Sequence, residues 1–395
     1  MQTRAAPRCI LLASDFPRDA VTLSMLPATA RPAWSVIDLD ALAHNVRIIR
    51  SMLRPTDRFY AVCKNNAYGC GARETAQTIL AAGADAFAVS DPEDAERIRA
   101  AGIKAPILLY ASTCPDAAHA VAELDLIATV HDFEGLDAFS LLQRPVRVHV
   151  EVDCGYGRLG FTPCEYKEAF DRLSRSRNLR VLGLYTHLTD VENAAAVRGQ
   201  AELFARASHE AHAAGFTDIE RMAASSRVML GYPELNLNAV NPGRMLYGMI
   251  EDPWQGKADL MPVIRAIHSR VLQVKTIPAS FDFDWPRHRA APGTLRTAVI
   301  AFGFKDGLPR QPAGGTVLIR GRRAPIIGMR ATEHTVVDVS DIPDVAAGDE
   351  VVIVGGQGAE TITGHEAVAT YRTPMIELLP RMTLNTLRVY RRNGA

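Results

Sequence analysis

From Trp34 onward, short apolar runs alternate with amphipathic helical segments, and the unit repeats. RFYAVCK (58–64) precedes ARETAQTILAAG (72–83), and AFAVS (86–90) precedes DPEDAERIRAAG (91–102). PILLY, LIATVH, VRVHVEVD and VLGLYTHL follow, each with a helical stretch behind it. A strand that is apolar at nearly every position is covered on both faces, as parallel strands between helices are. So many β-then-α units over roughly 220 residues suit closure into a (β/α)8 barrel better than an open sheet. VIDLDALAHNVRIIRSML (36–53) is apolar at Leu39, Leu42, Val46, Ile49 and Leu53, a helical stripe, and Ser90 is placed to cap a helix with Pro92 just inside it. No GxGxxG follows a first strand, so a dinucleotide fold has no support.

After about residue 255 the texture changes to strands and turns: VLQVKTI, RTAVIAFGF, GGTVLIRG, APIIGM, HTVVDVS, EVVIVGG and ETITG. This predicts a C-terminal all-β domain. The expected organisation is an N-terminal extension over 1–30, a TIM-type α/β barrel over 31–255 and a β-strand domain over 256–395, with the boundary near Glu251 to Lys257.

Lys plus Arg (44) balance Asp plus Glu (44), so no general field favours nucleic acid or an anionic membrane. The six cysteines lack CxxC or finger spacing, which points to free thiols in a reducing, cytoplasmic setting. No apolar stretch spans a bilayer. HEAH (209–212) lacks the HExxH spacing, and no metal site is expected.

Lys64 lies in AVCKNNAYGCG (61–71), just past an apolar strand and before a glycine-punctuated loop. A primary amine there can form a Schiff base with an aldehyde cofactor if its surroundings let it shed a proton near neutral pH. Taken alone, a strand-end lysine is more often a solvated surface group.

RPAWSVIDLDALAHNV, AVCKNNAYGCG, VEVDCGYGRLGF, YTHLTD, AASSRVML, VNPGRMLYG, GFKDG, TVVDVS and GDEVVIVGG occur in that order. In motif order and spacing the chain resembles the alanine racemases, pyridoxal 5'-phosphate enzymes with a barrel and a β domain, from about Arg31 to Tyr390. The resemblance implies that Lys64 carries the cofactor and acts as an acid/base at Cα of an amino-acid substrate. It implies that Tyr68 packs beside the cofactor or its phosphate, that His187 stacks on the pyridine ring, and that Arg158 meets the phenolic oxygen near the substrate carboxylate. Ser226 and the backbone of Gly243 and Arg244 would cradle the phosphate. The family also implies a homodimer with shared active sites, in which 281–288 and 332–333 face the partner's Lys64.

The chain departs from that pattern around the same cofactor. Trp285 falls where the family has its second-face Tyr, and an indole N–H is a donor that cannot act as a base. Asp282, Asp284 and His288 lie close in sequence and could substitute. Asn241 replaces the arginine at the pyridine nitrogen, Thr332-Glu333 replaces a methionine-aspartate pair, and Glu151 replaces a lysine that orients the active-site arginine. Glu151 is expected to orient Arg158 directly, conserving charge. The first reading is therefore a pyridoxal-phosphate enzyme acting at Cα from the Lys64 face, by one-face proton transfer or aldol-type exchange, with D-configured substrate or product. The alternatives are an alanine racemase with a substituted second base, and a non-catalytic cofactor-binding protein.

Overall fold

The computed structural model describes residues 11–12, 31–110, 118–142, 144–278, 294–328 and 330–392. The chain divides into two compact units, Leu42–Met261 and the flanking stretches Met1–Ala41 and Pro262–Ala395.

In the first unit eight strands pair in parallel: Arg58–Val62, Ala86–Val89, Ile107–Leu109, Ala128–Val130, Val146–Glu151, Leu179–Tyr185, Glu220–Ala224 and Ala239–Val240. The last strand pairs with the first, and the parallel bridge Leu108↔Ile127 joins the third to the fourth, which closes the expected (β/α)8 ring. Ala61, Phe87, Leu108, Val148 and Leu184 are fully buried, because helices cover the outer face of strands whose inner face fills the barrel. Asp91 takes the N-cap position of helix Pro92–Ala100 without a side-chain capping bond, one residue later than the expected Ser90. Pro92 at the first helical position fixes that boundary and holds the preceding residue extended.

Ala33–Asp38, expected within the barrel segment, is instead a strand of the other sheet. It pairs antiparallel with Ile264–Ile277 and parallel with Leu387–Arg391. The helical stripe begins only at Leu39, and helix Leu39–Ser51 buries Leu42, Val46 and Ile49 completely.

In the second unit, strand Ile264–Ile277 pairs on one side with Leu295–Ile300 and on the other with Glu350–Gln357. Thr335–Asp338, Arg322–Ile327 and Thr316–Ile319 complete a closed ring between those two neighbours. Closure leaves these strands without open edges. Two helices, Gly364–Tyr371 and Met375–Leu384, follow the last ring strands.

Trp34, fully buried, stacks on His268 with ring centroids 5.0 Å apart and planes 4° from parallel. Burial first, then the charge of Arg270, holds the His268 pKa down at about 4. The unfolded chain takes up this proton near pH 6.5 and the folded chain refuses it, so stability present above about pH 6.5 is lost as pH falls toward about 4. Urea midpoints of the wild type should therefore fall between neutral pH and this acid window. The fall should be smaller in His268→Phe, which keeps the stack without a titrating group; equal losses in the two proteins would count against this origin.

Candidate active site

Lys64 lies one residue past the first barrel strand, and the intervening Cys63 ties that end to the second strand, its N–H donating to the Ala88 carbonyl at 2.8 Å. Beyond it the chain makes a left-handed turn, with φ of 54, 53, 54 and 51° at Asn65, Asn66, Ala67 and Tyr68. Each non-glycine residue in that conformation costs about 1–2 kcal/mol, so the turn needs external support. Asp94, nearly fully buried on helix Pro92–Ala100, accepts from the Asn66 N–H at 3.0 and 3.1 Å. Asn66 Oδ1 in turn accepts from the Ala72 N–H at 2.8 Å. The turn leaves Lys64 half-buried and Tyr68 buried, its ring 5.0 Å from that of Tyr247.

Arg158 is positioned by a second tight loop, after the fifth strand. Asp153 Oδ1 accepts from the amides of Gly155, Tyr156 and Gly157 at 2.8, 2.9 and 3.2 Å. The loop is closed by the Asp153 N–H donating to Phe161 O at 2.8 Å and the Phe161 N–H to Glu151 O at 3.0 Å. Gly160 (φ +109°) permits this return, since a Cβ there would lie 2.7 Å from Asp153 N. The Arg158 guanidinium rests 4.5 Å over the Tyr156 ring. No hydrogen bond or ion pair joins it to Glu151. The expected direct support is therefore not formed, because the loop carries Arg158 onto Tyr156 while Glu151, at the strand end, is buried in the barrel among Tyr185 and Thr129.

His187 lies just beyond the sixth strand, edge-on to Tyr156 at 5.7 Å. Its ring meets solvent at the barrel mouth, yet surrounding protein and the charges of Arg158, Lys64, Arg227 and Arg244 hold its pKa at about 4. At neutral pH it is an uncharged ring, suited to stacking. Burial first, then Arg158 and Arg244, lowers the pKa of Lys64 and favours the free amine.

Ser226, Gly243 and Arg244 form a cup on the loops after the seventh and eighth strands. Ser226 Oγ accepts from the amides of Gly243 and Met245 at 3.0 and 3.1 Å. Among the described residues, the Ser226 hydroxyl proton, the Arg244 backbone N–H and the Tyr68 hydroxyl proton have no acceptor. They converge where Gly243 leaves room: a Cβ on Gly243 would lie 2.6 Å from Tyr68 Oη. Arg244 has one carboxylate neighbour, Glu251 at 3.4 Å, while no ion pair to Arg227 occurs among the described residues. Unfilled donors and surplus cations fit a phosphate, and Lys64 fits the aldehyde of the same cofactor. Asn241 donates to Tyr110 Oη at 3.0 Å.

The barrel thus brings together Lys64, Tyr68, Arg158, His187, Ser226, Asn241, Gly243 and Arg244. Trp285, Asp282, Asp284 and His288 lie outside the described residues. Thr332 belongs to the strand-rich unit, on an exposed loop where its carbonyl accepts from the Lys305 N–H at 2.9 Å. Sequence reasoning missed Arg227, Tyr110 and Tyr185, although each stands beside a recognised residue or at a strand's carboxyl end. No helix among the described residues is long and apolar enough to cross a membrane.

Gly243→Ala is expected to weaken binding of pyridoxal 5'-phosphate at least about tenfold, or about 1.4 kcal/mol, by pushing Tyr68 out of the cup. Fluorescence titration of the apoprotein measures this, and unchanged affinity would mean that the cup does not hold the phosphate.

Residues 37–251 match the family model described as alanine racemase, N-terminal domain, and residues 264–390 match alanine racemase, C-terminal domain. The chain is 34% identical over 376 residues to the alanine racemase of Desulfosudis oleivorans, covering 91% of this chain and 96% of that one. It is 34% identical over 358 residues to that of a Nostoc species, covering 88% and 92%. Among solved structures, alanine racemase from Bacillus anthracis with bound L-Ala-P superimposes with a TM-score of 0.86 at 27% identity, covering 93% of this chain and 97% of that one. The enzyme from Streptomyces lavendulae gives 0.82 at 29%, covering 93% and 98%. With both halves of the chain matched and the barrel's lysine, cup and arginine in place, the chain belongs to the alanine racemase family of pyridoxal 5'-phosphate enzymes.

Proposed function

We propose that this protein moves a proton at Cα of an amino acid from Lys64 alone, with a D-configured substrate or product. The observation that carries the reading is the Lys64 amine itself: half-buried at a barrel strand end, with its pKa lowered by burial and by Arg158 and Arg244, beside a donor-lined cup. Bound pyridoxal 5'-phosphate supplies an electron sink for the pair left at Cα. Lys64 Nζ takes and returns the Cα proton on one face. Arg158 would hold the substrate carboxylate through its planar donors, and neutral His187 would pack against the cofactor ring without adding a positive charge. Ser226, Tyr68 and the Arg244 amide fix the phosphate.

The sequence supports restriction to one face, because Trp285 stands where the family pattern has Tyr and the indole nitrogen's lone pair, delocalised into the ring, does not accept a proton. A homodimer in which residues 281–288 and 332–333 of one copy face Lys64 of the other belongs to the same reading. So does a cytoplasmic setting, supported by the free thiols of Cys63 and Cys154. A second reading, racemisation of alanine with a substituted second base, is favoured by the names of the relatives.

Holoenzyme in deuterated water separates the two. One-face chemistry predicts Cα deuteration of D-alanine and none of L-alanine, without inversion, by proton NMR and chiral chromatography. Inversion with deuterium starting from both enantiomers would establish the racemase reading instead. Lys64→Ala should abolish either activity by several orders of magnitude, roughly the 10²–10⁴-fold worth of a general base or more.

A further inference from the structure

Inside the barrel, three side chains that take no part in the chemistry above form a chain of contacts. Tyr185 Oη, at the end of the sixth strand, lies 2.9 Å from Glu151 Oε2 and 3.2 Å from Thr129 Oγ1. Thr129 Oγ1 lies 2.7 Å from the Leu109 carbonyl. All three residues are at most 3% exposed. A carbonyl has no proton to give, so the last contact requires that Thr129 donate to Leu109. A hydrogen bond between Thr129 and Tyr185 then needs Tyr185 as its donor. Tyr185 has one proton, so the Tyr185–Glu151 contact requires a proton from Glu151. Three contacts need three protons, and the two hydroxyl groups hold two. An ionised Glu151 would leave two oxygen lone pairs facing each other at one buried contact.

We propose that Glu151 is held as a neutral carboxylic acid that donates to Tyr185, making it a positioning residue that leaves the charge of Arg158 uncompensated. The groups facing it are Tyr185 from the sixth strand, Thr129 from the fourth, Tyr110 beyond the third, and Asp153 and Arg158 from the loop after its own strand. Of these only Arg158 is a cation, and it rests on Tyr156 rather than on the carboxyl. Burial, the largest influence on Glu151, favours the protonated form and Asp153 acts in the same sense, while the contact with Tyr185 and the charge of Arg158 oppose them; the net direction is upward. Arg158 consequently keeps its full charge for an incoming anion. Glu151 therefore does not stand in for the charge of the group it replaces; it supplies a hydrogen-bond donor that locks the barrel layer beneath the arginine.

The assignment of Arg158 to a substrate carboxylate rests on the function proposed above, whereas the proton on Glu151 does not, and the two are tested separately. Infrared difference spectra of the holoenzyme without substrate, wild type minus Glu151→Gln, should show the C=O stretch of a protonated carboxylic acid at neutral pH. Tyr185→Phe, which removes the acceptor, should shift that band to higher frequency, a readout that remains if the glutamine variant fails to fold. Raising the pH until the band disappears should weaken binding of acetate as a carboxylate probe with the same midpoint. Carboxylate bands alone in the wild type at neutral pH, or a band that ignores Tyr185→Phe, would overturn the proposal. A band that behaves as expected, with acetate affinity unlinked to it, would keep the neutral Glu151 and remove its influence on Arg158.

Discussion

Much of the active site depends on one buried carboxylate. Asp94 reaches from the second barrel helix to the amide of Asn66 and holds four successive residues in a left-handed turn that they would not adopt alone. That turn joins Lys64, the amine end of the proposed cofactor site, to Tyr68, which lies against Gly243 at its proposed phosphate end. A right-handed turn of the same length would point these side chains in other directions. Arg97, paired with Asp94 at 2.6 Å, orients the carboxyl and opposes the burial that raises its pKa, so the geometry of the lysine is set from one helix away.

Electrostatics completes what the turn begins. Lys64, Arg158, Arg227 and Arg244 all act on the same small volume and lower the proton affinity of the bases within it. Only Glu251 approaches any of these arginines as an ion-pair partner among the described residues. Such a surplus of positive charge in a partly buried cleft is costly to assemble and is relieved by an anionic ligand. The same field keeps the His187 ring neutral and lowers the proton affinity of the lysine nitrogen, so the charges proposed to hold the cofactor also tune the bases beside them.

The barrel was legible in the sequence because continuous apolar runs such as AFAVS and PILLY have one physical interpretation, strands covered on both faces. Lys64 stood out by its place just past an apolar strand, and Arg158 and Ser226 only through motifs that the chain shares with the family. Ala33–Asp38 was harder to place, since its apolar residues run without a break into the stripe of the following helix. The surroundings of Glu151 were not legible. Whether a carboxylate meets an arginine seven positions later depends on the path of the loop, which Asp153 and Gly160 set by folding it back. Arg227 was missed because an arginine beside a serine carries no pattern, and its meaning comes only from Arg244 arriving from another loop.

The strand Ala33–Asp38 has a consequence for the order of events during synthesis. Its two neighbours, Ile264–Ile277 and Leu387–Arg391, lie beyond the entire barrel in the chain. While the ribosome makes the barrel, this strand, with the aromatic ring of Trp34 on it, has no sheet to join. The barrel segment holds all its own strand partners and can close first. The strand-rich unit must wait for the last residues of its final strand, and until then an apolar edge stands open at the front of the chain, where early capture by a chaperone would be most useful.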